Sequence, residues 1–167
     1  MTKSSLAVTV TSEDLAHLAR ILKEEEDGKK LRKELAANLR KASEPARDAA
    51  KTAILSMESH GLPHEGESLR QAIADRITVE ARLSGRATGA RVKARKLKTG
   101  FVNAPKRTNA TKFRHMVFFR IPRNPVWVDQ VGKPRWFPDA MKSKSEEWRK
   151  AVLVAMNAMA ERIARKG

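Results

Sequence analysis

Two groups of side chains in this sequence have types and spacings that do chemistry. His60 and His64 lie four residues apart, with Glu58, Glu65 and Glu67 around them. Imidazoles and carboxylates at short spacing can hold a divalent metal. The segment also contains two glycines and a proline, and no second cluster completes a ligand set, so it reads as a solvated loop. The second group is cationic. Between Glu80 and Asp129 there is no acidic residue. The interval offers Arg82, Arg86, Arg91, Lys93, Arg95, Lys96, Lys98, Lys106 and Arg107 as candidate docking or phosphate-contact residues, and Lys112, Arg114, Arg120 and Arg123 extend the block. Such a block calls for an anionic partner, either nucleic acid or an acidic protein surface.

Catalytic constellations are missing. The turn Ser84–Gly89 lacks the Lys-Ser/Thr pair of a phosphate-binding loop, and neither a G-x-S-x-G elbow nor an H-E-x-x-H helix occurs. His17 and His115 have no acidic partner close in sequence. A nuclease would need several carboxylates on strand ends to hold its metal, and they are few after Glu65. With no cysteine there is no disulfide, thiolate site or cysteine nucleophile. The reading is therefore a non-enzyme without cofactor or metal. Aromatic residues do not interleave with the bases, and no helix-turn-helix, zinc finger or RNP motif is visible. Nucleic-acid contact would then run through phosphates, without sequence preference and with steep salt dependence.

These residues need elements to position them. Leu6, Val8 and Val10 alternate with polar residues and predict a short edge strand. Thr11 and Ser12 are caps for a helix whose apolar stripe is Leu15, Leu18, Ile21 and Leu22, ending at Asp27-Gly28. A second helix from Lys29 to Ser59 carries Leu31, Leu35, Leu39, Ala42, Ala46, Ala49, Ala53 and Met57, with a kink or break predicted at Pro45. Its alanine-rich half invites close approach, by a sheet or by another subunit. Ser68 caps a short turn to Ala74. Ile77 to Leu83 and Ala90 to Arg95 alternate with period two and predict a hairpin, one face apolar and one basic. Lys96 to Arg114 reads as a long basic loop that orders in an assembly. The last helix starts at Asp139 or Ser143, Ser143 with Glu146 making a capping box. Trp148, Val152, Ala155, Met156, Met159 and Ile163 form its stripe.

The densest aromatic stretch, Met116 to Phe137, reads as strand, tight loop, strand and aromatic plug, and is expected at the centre of the core. Pro122 and Pro125 bracket the loop, and Gly132 and Pro134 end the second strand. Trp127, Trp136, Phe137 and Trp148 are candidate core or interface aromatics, with the core favoured for Trp127.

This stretch resembles the minor tail-component or neck family of long-tailed double-stranded-DNA bacteriophages. The matching residues are Val126, Trp127, Val128, Gln130, Lys133, Pro134, Trp136 and Phe137, followed by a long C-terminal helix; Ser68-Leu69-Arg70 and the strand pair after it match upstream. Phe119-Arg120-Ile121 stands where that family often has a glycine after the first strand. The resemblance covers roughly the last hundred residues. It implies a structural virion protein of the neck or tail, made in the host cytoplasm and assembled as a homo-oligomeric, sixfold ring between head-connector and tail-tube proteins. It leaves room for nonspecific contact with DNA.

The 167 residues, 41% of them hydrophobic, are enough for one domain with a real core. No apolar run is long enough for a membrane helix, and the N-terminus has no signal-peptide pattern. The formal net charge is +16. The expectation is a single α+β domain over 1–167: a helical region at about 12–59, a sheet with the basic loop at about 77–131, and a C-terminal helix at about 139–166. An antiparallel or mixed sheet of about four strands packs on the long N-terminal and C-terminal helices. Two functions stand: a head–tail joining or tail-completion protein, and a basic nucleic-acid-binding module without catalysis.

Overall fold

The computed structural model describes residues 12–58, 68–85, 88–98, 100–118 and 125–165. The strand expected at Leu6–Val10, the His60–Glu67 segment, Arg86 and the Phe119–Ile121 turn lie outside them. The element order is α1 (Ser12–Glu24), α2 (Gly28–Ala42), α3 (Glu44–Leu55), α4 (Leu69–Asp75), β1 (Ile77–Arg82), β2 (Gly89–Ala94), α5 (Ala104–Arg107), β3 (Lys112–Phe118), β4 (Pro125–Val131), α6 (Trp136–Ser143) and α7 (Ser145–Ala164). The class is α+β, and the described strands number four. They do not join into one sheet. β1 pairs with β2 and β3 with β4, giving two separate two-stranded antiparallel sheets. The chain divides into two compact units.

The first unit holds residues 1–43, 80–91 and 146–167. Its core is a leucine zip between α1 and α2: Leu15, Leu18 and Leu22 meet Leu31, Leu35 and Leu39, and Met156 and Met159 of α7 complete the cluster. Ala81, Leu83 and Ala90 from the hairpin tip pack against it. Spacings of three and four put each set on one face of its helix. Val152, Ala155 and Ile163 border the same cluster, so the stripe expected on the last helix faces inward.

The second unit holds residues 44–79 and 92–145. Here α3 packs on α4 and α6. The predicted break in the long helix falls at Ser43, just before Pro45, whose ring cannot follow a helical turn and whose missing N–H costs nothing in the first turn of α3. The buried face of α3 departs from the expected stripe after Ala46. Ala46, Ala50 and Ile54 are the buried residues of α3, while Ala49, Ala53 and Met57 are half-buried. On α4, Ser68 caps as expected, its hydroxyl accepting from the Gln71 amide at 3.1 Å.

Four further expectations change. Lys96 to Arg114 is not one long loop. The Leu97 amide donates to the Val102 carbonyl at 3.0 Å, α5 follows, and Ala104, Pro105, Thr108 and Phe113 are buried. Phe101 stacks on Phe113 with ring centroids 5.8 Å apart. The first strand of the aromatic hairpin therefore starts earlier than predicted, at Lys112. The C-terminal helix is two helices, α6 and α7, separated at Lys144. The expected Ser143–Glu146 capping box has no place here, because Ser143 is the last residue of α6, its hydroxyl donating to the Ala140 carbonyl at 2.9 Å, and α7 starts at Ser145.

Candidate interaction surface

The β3–β4 ladder was expected to be the centre of the core. Its register pairs Lys112 with Val131, Arg114 with Asp129 and Met116 with Trp127. Side chains two apart on a strand share a face. Trp127, Asp129 and Val131 are all exposed, and Arg114 opposite them is exposed too. Trp127 is 54% and Val131 44% exposed, which overturns the core assignment for Trp127. The Arg114 guanidinium donates to the Asp129 carboxylate at 2.9 Å between them. The face thus reads apolar, ion pair, apolar. An exposed ion pair adds little stability on its own.

The anchor of the second unit is Trp136 instead. It is 1% exposed, and its indole N–H donates to the Thr108 hydroxyl at 3.1 Å. That hydroxyl in turn donates to the carbonyls of Ala104, at 3.0 Å, and Pro105, at 3.2 Å. Phe137 is half-buried and meets Trp136 edge-on, with centroids 5.4 Å apart. The chain reaches this position through Gly132, where a Cβ would lie 2.1 Å from the Ala110 carbonyl oxygen. The Gly132 and Lys133 amides donate to the Thr111 and Thr108 carbonyls, each at 3.0 Å. Trp148, in the first unit, is half-buried, and its N–H donates to the Ser43 hydroxyl at 2.8 Å. Ser43 passes its own proton to the Leu39 carbonyl at 2.8 Å.

The candidate basic residues do not share one unit. Arg82 and Arg91 belong to the first, and Lys93, Arg95, Lys96, Lys98, Lys106 and Arg107 to the second. Arg82 is exposed and lies 3.6 Å from the Glu80 carboxylate. Arg91 and Lys93 are half-buried on β2 and engaged with neighbours, so they are part of the fold as well as its charge. Arg95, Lys96, Lys98, Lys106 and Arg107 are exposed. Backbone bonds fix where two of these stand: the Arg95 amide donates to the Arg76 carbonyl at 3.0 Å, and the Arg76 guanidinium donates to the Lys96 carbonyl at 3.2 Å. Lys106 and Arg107 end α5, where positive charge suits the helix dipole.

Two ionisable groups elsewhere are tied to the fold by their surroundings. The Arg47 hydrogen bond holds the Asp48 carboxyl below the usual carboxylate range. Burial pushes the Arg70 guanidinium pKa down, and the group donates to the Glu58 carbonyl. Among the described residues no group of three or more His, Cys, Asp or Glu side chains is placed to hold a metal. Among them, too, no helix is long and apolar enough to cross a membrane.

Sequence reasoning found the basic residues and the aromatics but missed Thr108 and Ser43, the hydroxyls that receive the two indoles. They lie 28 and 105 residues from their partners, so no local spacing announces them. No family model, curated protein or solved structure matches the chain.

Proposed function

We propose that the chain is a structural subunit of the neck or tail of a long-tailed bacteriophage, a head–tail joining or tail-completion protein that works as a ring. The observation that carries this reading is the outer face of β3–β4, where Trp127 and Val131 stand exposed around the Arg114–Asp129 pair. A tryptophan left largely in water gains free energy when a partner covers it, and aromatic and arginine side chains concentrate at the centres of interfaces. Two-stranded sheets also keep unpaired outer edges that a neighbour can use. The order of β3, β4, the Trp136-Phe137 corner and the long α7 supports the family resemblance of this region.

The mechanism in this reading is geometric. One surface of each subunit meets a different surface of the next, and a rotation that closes gives a ring. The sixfold symmetry and the head-connector and tail-tube neighbours come from the resemblance. Exposed cations from 95 to 107 are then docking groups for acidic neighbouring surfaces, with nonspecific DNA contact as a secondary property. No catalysis, cofactor or membrane enters, and the location is the virion.

The test uses the phage that encodes the protein. Mass spectrometry of purified particles should find the chain, and a deletion should leave heads and tails unjoined. Trp127→Ser should block incorporation while the isolated subunit stays as stable as before. A second reading, a basic nucleic-acid-binding module, is favoured by one fact: residues 92–145 hold fourteen lysines and arginines against two acids. Absence from particles, together with DNA binding that collapses between 50 and 200 mM salt, on the order of the loss known for phosphate contacts, would replace the first reading with the second.

A further inference from the structure

The first unit holds a recess whose walls specify a ligand. α1 and α2 turn back on each other through residues 25–27, and Gly28 permits the turn, since a Cβ there would lie 2.2 Å from the Leu22 carbonyl oxygen. Beside this corner is a cleft of about 440 Å³. Lys23, Lys29, Arg32 and Lys33 give it four cations, and Ala36, Ala81 and Leu83 give it an apolar wall. Among the described residues no carboxylate lines it. Glu26 and Asp27 line a neighbouring depression, where Lys29 and Lys33 also reach.

The first turn of α2 contains no acid. Lys29 and Lys30 instead stand at the positive end of the helix dipole, which opposes them. Arg32 is half-buried, and its contact with the Leu83 carbonyl is long, at 3.5 Å. Its Nε is sealed from solvent and has no hydrogen-bond partner among the described residues. A sealed donor without an acceptor is costly, and a guanidinium held this loosely can turn toward an incoming anion.

We propose that this cleft binds an acidic peptide segment of a partner protein, with carboxylates on Lys23, Lys29, Arg32 and Lys33 and one apolar side chain against Ala36, Ala81 and Leu83. Charge complementarity selects an anion, and the apolar wall selects among anions. Free phosphate or a phosphodiester strand satisfies the cations but leaves the wall uncovered. A peptide that places an apolar side chain between carboxylates covers both. The inference concerns the first unit alone and stands whether or not the neck reading does.

The experiment titrates the isotope-labelled full chain with a capped Glu-Glu-Leu-Glu-Glu peptide at low salt, followed by amide chemical shifts. The comparison ligands are a Glu-Glu-Ser-Glu-Glu peptide of equal charge, inorganic phosphate and a short single-stranded oligonucleotide. The leucine peptide should shift amides around Lys29, Arg32, Lys33, Ala36, Ala81 and Leu83 saturably, and should bind about tenfold more tightly than the serine peptide, the margin one buried apolar side chain supplies. Arg32→Gln combined with Lys33→Gln should weaken it about tenfold or more. Ala36→Leu keeps every charge and fills the wall, so it should erase the preference for leucine. The amide spectrum of each variant reports whether the fold is kept. Equal affinity for the two peptides overturns the proposal. So does tighter binding of phosphate or the oligonucleotide at the same amides, or an undiminished affinity in a folded Arg32→Gln/Lys33→Gln variant.

Discussion

A buried indole has one polar atom to satisfy, and this chain satisfies two of its three indoles with hydroxyls. Thr108→Val keeps the shape at Trp136 but removes its acceptor. Because Trp136 is sealed, the unpaired N–H should cost about 1–3 kcal/mol in chemical denaturation. Ser43→Ala takes the acceptor from Trp148, which water reaches, so the loss there should stay under about 1 kcal/mol. Trp127→Ser, on the exposed face, should leave the midpoint nearly unmoved. That the three tryptophans divide this way is only partly legible in the sequence. From Val126 to Val131 both strand faces carry apolar residues, so period two alone does not say which face is inward. The one signal is Asp129, which shares its face with Trp127 and marks that face as the outer one. For Trp136 the deciding partner lies 28 residues upstream, beyond any periodicity.

Among elements, helices are more legible in the sequence than their joints. The stripes of α1, α2 and α7 follow directly from leucine and methionine spacing, because each helix packs on one face. Pro45 locates the break between α2 and α3, but which face of α3 is buried depends on its packing with α4 and α6, not on composition. As a result the buried small residues of α3 are Ala46 and Ala50. Ala50→Leu should therefore overpack the side of α3 that meets α4 and α6, at a cost of about 1–3 kcal/mol, whereas Ala49→Leu, half-buried, should cost less; thermal melts of the pair decide it. The segment from Lys96 to Arg114 read as a loop because its charge hides four buried positions, Ala104, Pro105, Thr108 and Phe113. Its amides around α5 should accordingly exchange with solvent slowly in the isolated subunit, contrary to what a loop ordered only by assembly would do.

For the whole molecule, two facts set the behaviour: the net charge and the interleaving of the units in sequence. At +16 the chain repels itself, and screening should relieve this. The melting temperature should rise as salt goes from low to about 0.15 M, where the Debye length is about 8 Å. Neither unit is one continuous stretch. The first takes α1 and α2 from the start of the chain, the hairpin tip from the middle and α7 from the end. A truncation after Ser145 should thus expose Leu15, Leu31 and their neighbours and unfold α1–α2, leaving α3 to α6 as the ordered remainder. Hydrogen exchange on the truncated chain checks this directly.

The same interleaving governs how the protein is made. Met156 and Met159 close the leucine cluster, yet they are synthesised more than a hundred residues after Leu39. At about 5–20 residues per second the nascent α1 and α2 wait on the order of ten seconds with their leucines uncovered. During that interval the emerging chain should bind a holdase, and the emergence of α7 should end that dependence.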